Sequence, residues 1–273
     1  MSSAPVAIVS IASYLSSAGL IGYRLFNREA ASQARLRQAI LGLGFFGLLL
    51  HTWLIYRGIF TNSGLNLAFF NALSLASWTV VASLLISSLS KPIENLGLVI
   101  LPLAAVTVLL DLLYPSVSFM SEQASWILKL HVLLSMLAYS MLTLASVQAL
   151  LLAVQDHYLR MRRPSGFIRS LPPLMTMEAL LFEMISIGFV LLTLALASGF
   201  AFLENMFAQH LVHKTVLSVV AWLVFGGLLL GRRFWGWRGR KAIAWTLSGF
   251  AILILAYFGS KLVLELILHR QAG

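Results

Sequence analysis

Long apolar runs alternate with short polar connections along the whole chain, and the cycle repeats eight times. The runs fall at about 4–26, 38–60, 66–89, 96–114, 126–163, 176–202, 213–231 and 243–268. Each approaches or exceeds the roughly 20 residues that carry a helix across a hydrocarbon core of ~30 Å. None shows the period-two alternation of a barrel strand, so backbone groups in lipid have to be satisfied inside helices. The predicted fold is therefore all-α: one polytopic membrane domain over 1–273, built as a helical bundle of about eight transmembrane helices. Pro102 lies inside the fourth run and should kink it, with a neighbour or a cavity meeting the freed carbonyl. The glycines of the second and seventh runs (Gly42, Gly44, Gly47; Gly226, Gly227) read as places of close helix approach.

Composition agrees with the pattern. Hydrophobic residues make up 60% of the 273 and charged residues only 10%, against roughly 25% charged in soluble domains. The net charge of +10 would suggest nucleic acid in a soluble protein. Here the cations sit in the connections, where they set topology and meet anionic headgroups, so the expected partner is the lipid bilayer. The first run lacks a basic leading region and a cleavage site, and reads as a permanent span.

Placing both termini on the outer (periplasmic) side puts 14 Lys and Arg on the inner side, in clusters such as Arg35-Leu36-Arg37, Arg160 to Arg163 and Arg232 to Lys241. Only five remain outside: Arg57, Lys129, Lys214, Lys261 and Arg270. That asymmetry supports this orientation.

The candidate chemistry is carried by histidine. The chain has no cysteine, which excludes disulfides, thiolate catalysis and covalent thioether attachment of haem. Of six histidines, His131, His210, His213 and His269 fall at the outer ends of runs and His51 lies inside the second, while His157 belongs to a solvated inner loop. A neutral imidazole is a good iron ligand, and two on facing helices can clamp a porphyrin. The alternative is an interfacial histidine near headgroups or, for His51, a hydrogen bond to a neighbouring helix. Asp111 could orient an imidazole or be a hydrated acid at the outer mouth. Glu178 and Glu183 suit the inner N-terminus of the sixth run. The tryptophans of the last two runs read as packing and interfacial belt. No phosphate-binding loop, zinc-protease motif, nucleophile elbow or calcium loop occurs, and no bond-making chemistry is expected.

With these residues placed, the chain resembles the cytochrome c assembly superfamily of haem-handling membrane proteins, closest to its HemX/YpjD-type branch. The resemblance is clearest over 126–268, in HVLLSMLAYSMLTLASVQALLL, IGFVLLTLALASGF, HKTVLSVVAWLVF and GWRGRKAIAWTLSGFAILILAYFGSK, and weaker over 38–90 around LLLH and FFNALSLASW. It implies a haem b held without covalent links at the outer leaflet of a bacterial inner membrane. His131 matches an outer histidine of the family and His51 one inside an early helix, and His269 falls one residue from a second outer position. The chain departs from the family at the tryptophan-rich loop, replaced by FLENMFAQHLVHKT, and at a late histidine of the seventh run, which is Leu230. His213 of the HKT stretch becomes a substitute ligand.

These readings converge on a protein that holds or passes haem for cytochrome assembly or haem homeostasis. His131 and His213 would bind the iron, with His51, His210 and His269 as further ligand candidates. Asp111, Arg57, Lys129 and Lys214 would serve as an orienting acceptor or propionate partners. Apocytochromes or other membrane proteins would be its partners. The alternative is a structural or regulatory membrane subunit that kept the fold without haem; a small-molecule or ion transporter ranks below it, because few charges lie at mid-membrane.

Overall fold

The computed structural model describes residues 3–27, 34–61, 64–66, 68–115, 119–120, 126–161, 171–202 and 209–256, and of 60–61, 64–65, 119–120, 202 and 209–213 the backbone alone. Among them are eight α-helices: α1 (Ala4–Phe26), α2 (Ala34–Ile59), α3 (Phe69–Ser90), α4 (Gly97–Leu113), α5 (Trp126–Arg160), α6 (Leu174–Phe202), α7 (Gln209–Trp235) and α8 (Arg240–Ile254). Seven of these helical segments are long and apolar enough to cross a membrane. The described part of α8 has 15 residues, and the rest of the eighth run lies outside the described residues, as does His269. The all-helical expectation holds for the spans. Outside them, three strands of two or three residues, β1 (Phe60–Thr61), β2 (Gly64–Asn66) and β3 (Phe119–Met120), pair antiparallel in the order β1-β2-β3. They occupy connections, where period-two patterning is too short to read.

Local chemistry sets the helix ends. Pro5 stands in the first turn of α1, where its missing N–H would be unpaired in any residue. The α3 helix stops at Lys91, in extended conformation, because Pro92 disfavours helical geometry in the residue before it. Pro102 is accommodated inside α4.

Contacts divide the chain into two compact units, Met1–Ser121 with His157–Pro173, and Glu122–Asp156 with Leu174–Gly273. In the first, α1 packs on α2 and α4, and α3 packs on α2 and α4. Tyr14, Ile40, Leu84 and Leu101 are fully buried there. In the second, α7 packs on α6 and α8, with Leu181, Phe225 and Leu228 fully buried. Burial follows the logic of a bilayer. Ser10, Ser17, His51, Ser88 and Thr246 are inaccessible, whereas Leu49, Ile86, Leu103 and Leu223 are exposed. Lipid tails accept such a surface without penalty, while polar groups turn inward to find partners.

Each unit closes one end with a buried acid held by two arginines. In the first, Glu94 Oε1 accepts from Arg24 Nη1 at 2.9 Å and Arg37 Nε at 3.3 Å, and Arg37 also donates to the Ser88 carbonyl. In the second, Glu178 Oε1 accepts from Arg238 Nε at 2.9 Å and lies 3.8 Å from Arg232 Nη1. Arg232 in turn stacks over Phe182.

The turn between α7 and α8 explains the GWRGRKA stretch. Gly236 and Gly239 take positive φ, 61° and 54°, a region that L-side chains disfavour. This geometry swings Trp237 back onto Gly231, where a side chain would collide with the indole. The Trp237 N–H donates to the Gly231 carbonyl at 3.2 Å.

Candidate functional site

Three histidines lie on described membrane helices with their side chains in view; His157, expected in a loop, is instead exposed in the last turn of α5, which leaves His131 and His51 as the inward candidates. His131 is in the second turn of α5, facing the last two turns of α6 within the second unit. Its Nδ1 lies 2.8 Å from the Ala195 carbonyl oxygen and 3.2 Å from Ser198 Oγ. A carbonyl only accepts, so Nδ1 carries the proton. The lone pair of the neutral ring is then on Nε2, and among the described residues nothing hydrogen-bonds to it. The Ser198 hydroxyl donates to the same Ala195 carbonyl at 2.8 Å, which leaves its oxygen free to accept from Nδ1.

The ring fits because Gly199 has no side chain. A Cβ there would stand 3.1 Å from His131 Cε1 and 3.3 Å from Nδ1. The ring is partly buried and the neighbouring Lys129 exposed.

His51, in the first unit, is fully inaccessible and bonded at both nitrogens. Tyr14 Oη is 3.2 Å from Nδ1 and Ser74 Oγ is 3.0 Å from Nε2. Gly47, one turn earlier on α2, creates the space: a Cβ there would lie 2.8 Å from the Tyr14 ring, so the phenol crosses the helix and reaches His51. Asp111 of α4 hydrogen-bonds Ser74, extending the network to a fourth helix.

The remaining sequence candidates divide clearly. Arg57 lies over the Trp53 ring at 5.6 Å. Lys214 is partly buried near the start of α7. His210 and His213 lie in the first turns of α7, but their side chains are outside the described residues. Among the described residues no group of three or more His, Asp or Glu side chains converges as a metal centre; an iron porphyrin asks only one or two axial ligands of the protein. Sequence reasoning missed Tyr14, Ser74, Ala195, Ser198 and Gly199. The last three lie in the IGFVLLTLALASGF segment that carries the resemblance.

Residues 39–268 match the family described as cytochrome C assembly protein. The match takes in His51, His131, His210 and His213 and stops one residue short of His269. A protein named inner membrane protein YpjD, from Escherichia coli K12, is 36% identical over 216 residues, covering 76% of this chain and 78% of that protein. A cytochrome c biogenesis protein, CcsA of Prochlorococcus marinus, is 24% identical over 267 residues, covering 86% and 82%. No solved structure matches the chain.

Proposed function

Since the chain belongs to the cytochrome c assembly family, we propose that it is a multi-pass inner-membrane protein that binds haem at the outer leaflet and hands it on or stores it. The observation that carries this reading is the His131 imidazole, with Nδ1–H fixed on the Ala195 carbonyl at 2.8 Å and no hydrogen bond to Nε2 among the described residues. That is the donor set an axial iron ligand needs: a neutral ring, one tautomer, and a backbone acceptor behind it that raises ligand basicity. The residues present therefore fit a haem.

When bound, the group would supply an iron centre; His131 would ligate it, with His213, from the segment that replaces the family's tryptophan-rich loop, as the candidate second ligand. The apolar side chains beside α5 and α6 exclude water from the macrocycle. Lys129, exposed two residues before His131, and Lys214 offer charge to the propionates. The absence of cysteine keeps any such haem non-covalent, of the b type, and so transferable. With both termini outside, the arginine-clamped ends face the cytoplasm and His131 faces the periplasm, where an apocytochrome would be met. No bond-making step is assigned to the chain.

The absorption spectrum of purified protein after expression with ample haem tests the proposal. A Soret band with sharp reduced bands is expected, lost when His131 and His213 are both replaced. A spectrum that survives the double replacement overturns it. The second reading, a scaffold subunit of the same fold without haem, is favoured by His51, which is saturated at both nitrogens. A colourless protein that ignores added haemin and co-purifies with a membrane partner would establish that reading.

A further inference from the structure

We infer that Gly199 and Ser198 are the positioning residues of His131: together with the Ala195 carbonyl they fix its ring as the Nδ1–H tautomer and aim Nε2 at the ligand. The inference deepens the haem reading and rests on it for the identity of the ligand, but not for the geometry.

Three observations carry it. First, Nδ1–H meets two acceptors, the Ala195 oxygen at 2.8 Å and Ser198 Oγ at 3.2 Å. Second, the Ser198 hydroxyl proton is already committed to the Ala195 carbonyl, so this serine accepts from the histidine and cannot donate to it. The alternative tautomer would set the Nδ1 lone pair against a carbonyl oxygen, which is repulsive. Third, three ring atoms, Cε1, Nδ1 and Nε2, lie within 3.1 to 4.0 Å of where a Cβ on residue 199 would stand. The ring is thus seated close against the backbone of α6, at a distance that a side chain on residue 199 would crowd. Neither residue would touch the iron; both act through the imidazole, as partners behind a metal-bound histidine do.

The effects of the two substitutions differ. Gly199→Ala adds a methyl 3.1 Å from Cε1 and 3.3 Å from Nδ1, so the ring must shift by a few tenths of an ångström and its bond to the Ala195 carbonyl is strained. Ser198→Ala removes one of two acceptors and keeps the tautomer, with a less basic Nε2.

The test uses the full chain in nanodiscs, with 15N-labelled histidine and haemin as the probe, and His131→Gln to assign the resonance. The wild-type ring is expected as Nδ1–H before haemin is added. Gly199→Ala is expected to disturb that signal and to weaken haemin binding by about tenfold or more. Ser198→Ala should retain tautomer and binding but raise the midpoint potential of the bound haem, an effect a packing role would not produce. If Gly199→Ala fails to fold, the Ser198→Ala potential and the wild-type resonance decide the matter. A wild-type ring protonated at Nε2 overturns the inference, as does wild-type haemin affinity in a Gly199→Ala protein whose resonance has moved. If His131→Gln binds haemin like wild type, the haem reading fails at this residue. A wild-type Nδ1–H resonance that Gly199→Ala disturbs would still uphold the positioning.

Discussion

His51 and His131 are both imidazoles on membrane helices, and both sit beside a glycine that makes room for a ring. In the first unit the glycine, Gly47, admits the Tyr14 phenol, which occupies one histidine nitrogen while Ser74 occupies the other. In the second the glycine, Gly199, admits the histidine itself, and only one nitrogen is engaged. The partners differ in kind as well. Ser74 donates to the Asp111 carboxylate, so it accepts from His51 Nε2–H and the Tyr14 hydroxyl donates to Nδ1; the Ala195 carbonyl only accepts, so it fixes the opposite tautomer, Nδ1–H, at His131. A buried histidine bonded at both nitrogens joins helices. A partly buried one held at one nitrogen by a backbone acceptor is ready for a ligand.

The largest effect should come from exchanging the two histidines for alanine. His131→Ala is expected to abolish the haem spectrum, whereas His51→Ala should keep the pigment and lose stability of about 3 kcal/mol through the cavity and the stranded Tyr14 hydroxyl. Spectra and detergent melting curves of both variants check this, and pigment lost only with His51 would reverse the assignment.

Next come the acids that clamp the other ends. Removing one member of a buried ion pair costs about 3 kcal/mol, and Glu94→Ala should approach that. The arginines of Glu178 are more exposed, up to 52% for Arg238 against 21% for Arg24, so Glu178→Ala should cost nearer ~1–2 kcal/mol after screening. Equal melting temperatures for the two variants would show that the exposure difference is immaterial. Gly47→Ala should overpack the Tyr14 ring at about 2 kcal/mol, with haem binding unchanged; a spectral shift would mean the two histidines are coupled. The smallest effect is Tyr14→Phe, which leaves one His51 nitrogen without its phenol and should lower stability by about 1 kcal/mol while the spectrum stays fixed.

Much of this was legible in the sequence. Seven of the eight expected spans followed from run length, and the close approaches at Gly44, Gly47, Gly226 and Gly227 were readable as small residues among large ones, although a Cβ on Gly42 would meet open space. The resemblance led to His131 and His51 but could not rank them, because the difference between them is a matter of partners. A backbone carbonyl such as that of Ala195 has no sequence signature. Tyr14 sits in the run that the resemblance covers least. Glu178 reads as an acid suited to a helix start, and nothing local reveals that its arginines come from a turn far along the chain.

That last separation has a consequence for how the protein is made. Glu94 emerges after both of its partners, the first of them 70 residues earlier, and can be neutralised as soon as α4 enters the membrane. Glu178 is synthesised 60 residues before Arg238. At ~5–20 residues per second of translation it waits roughly 3–12 s for its counter-charge. During that interval α6 has to hold an unpaired carboxylate at the membrane surface, so slowing the ribosome between codons 178 and 238 should expose the second half of the chain, and not the first, to quality-control proteolysis.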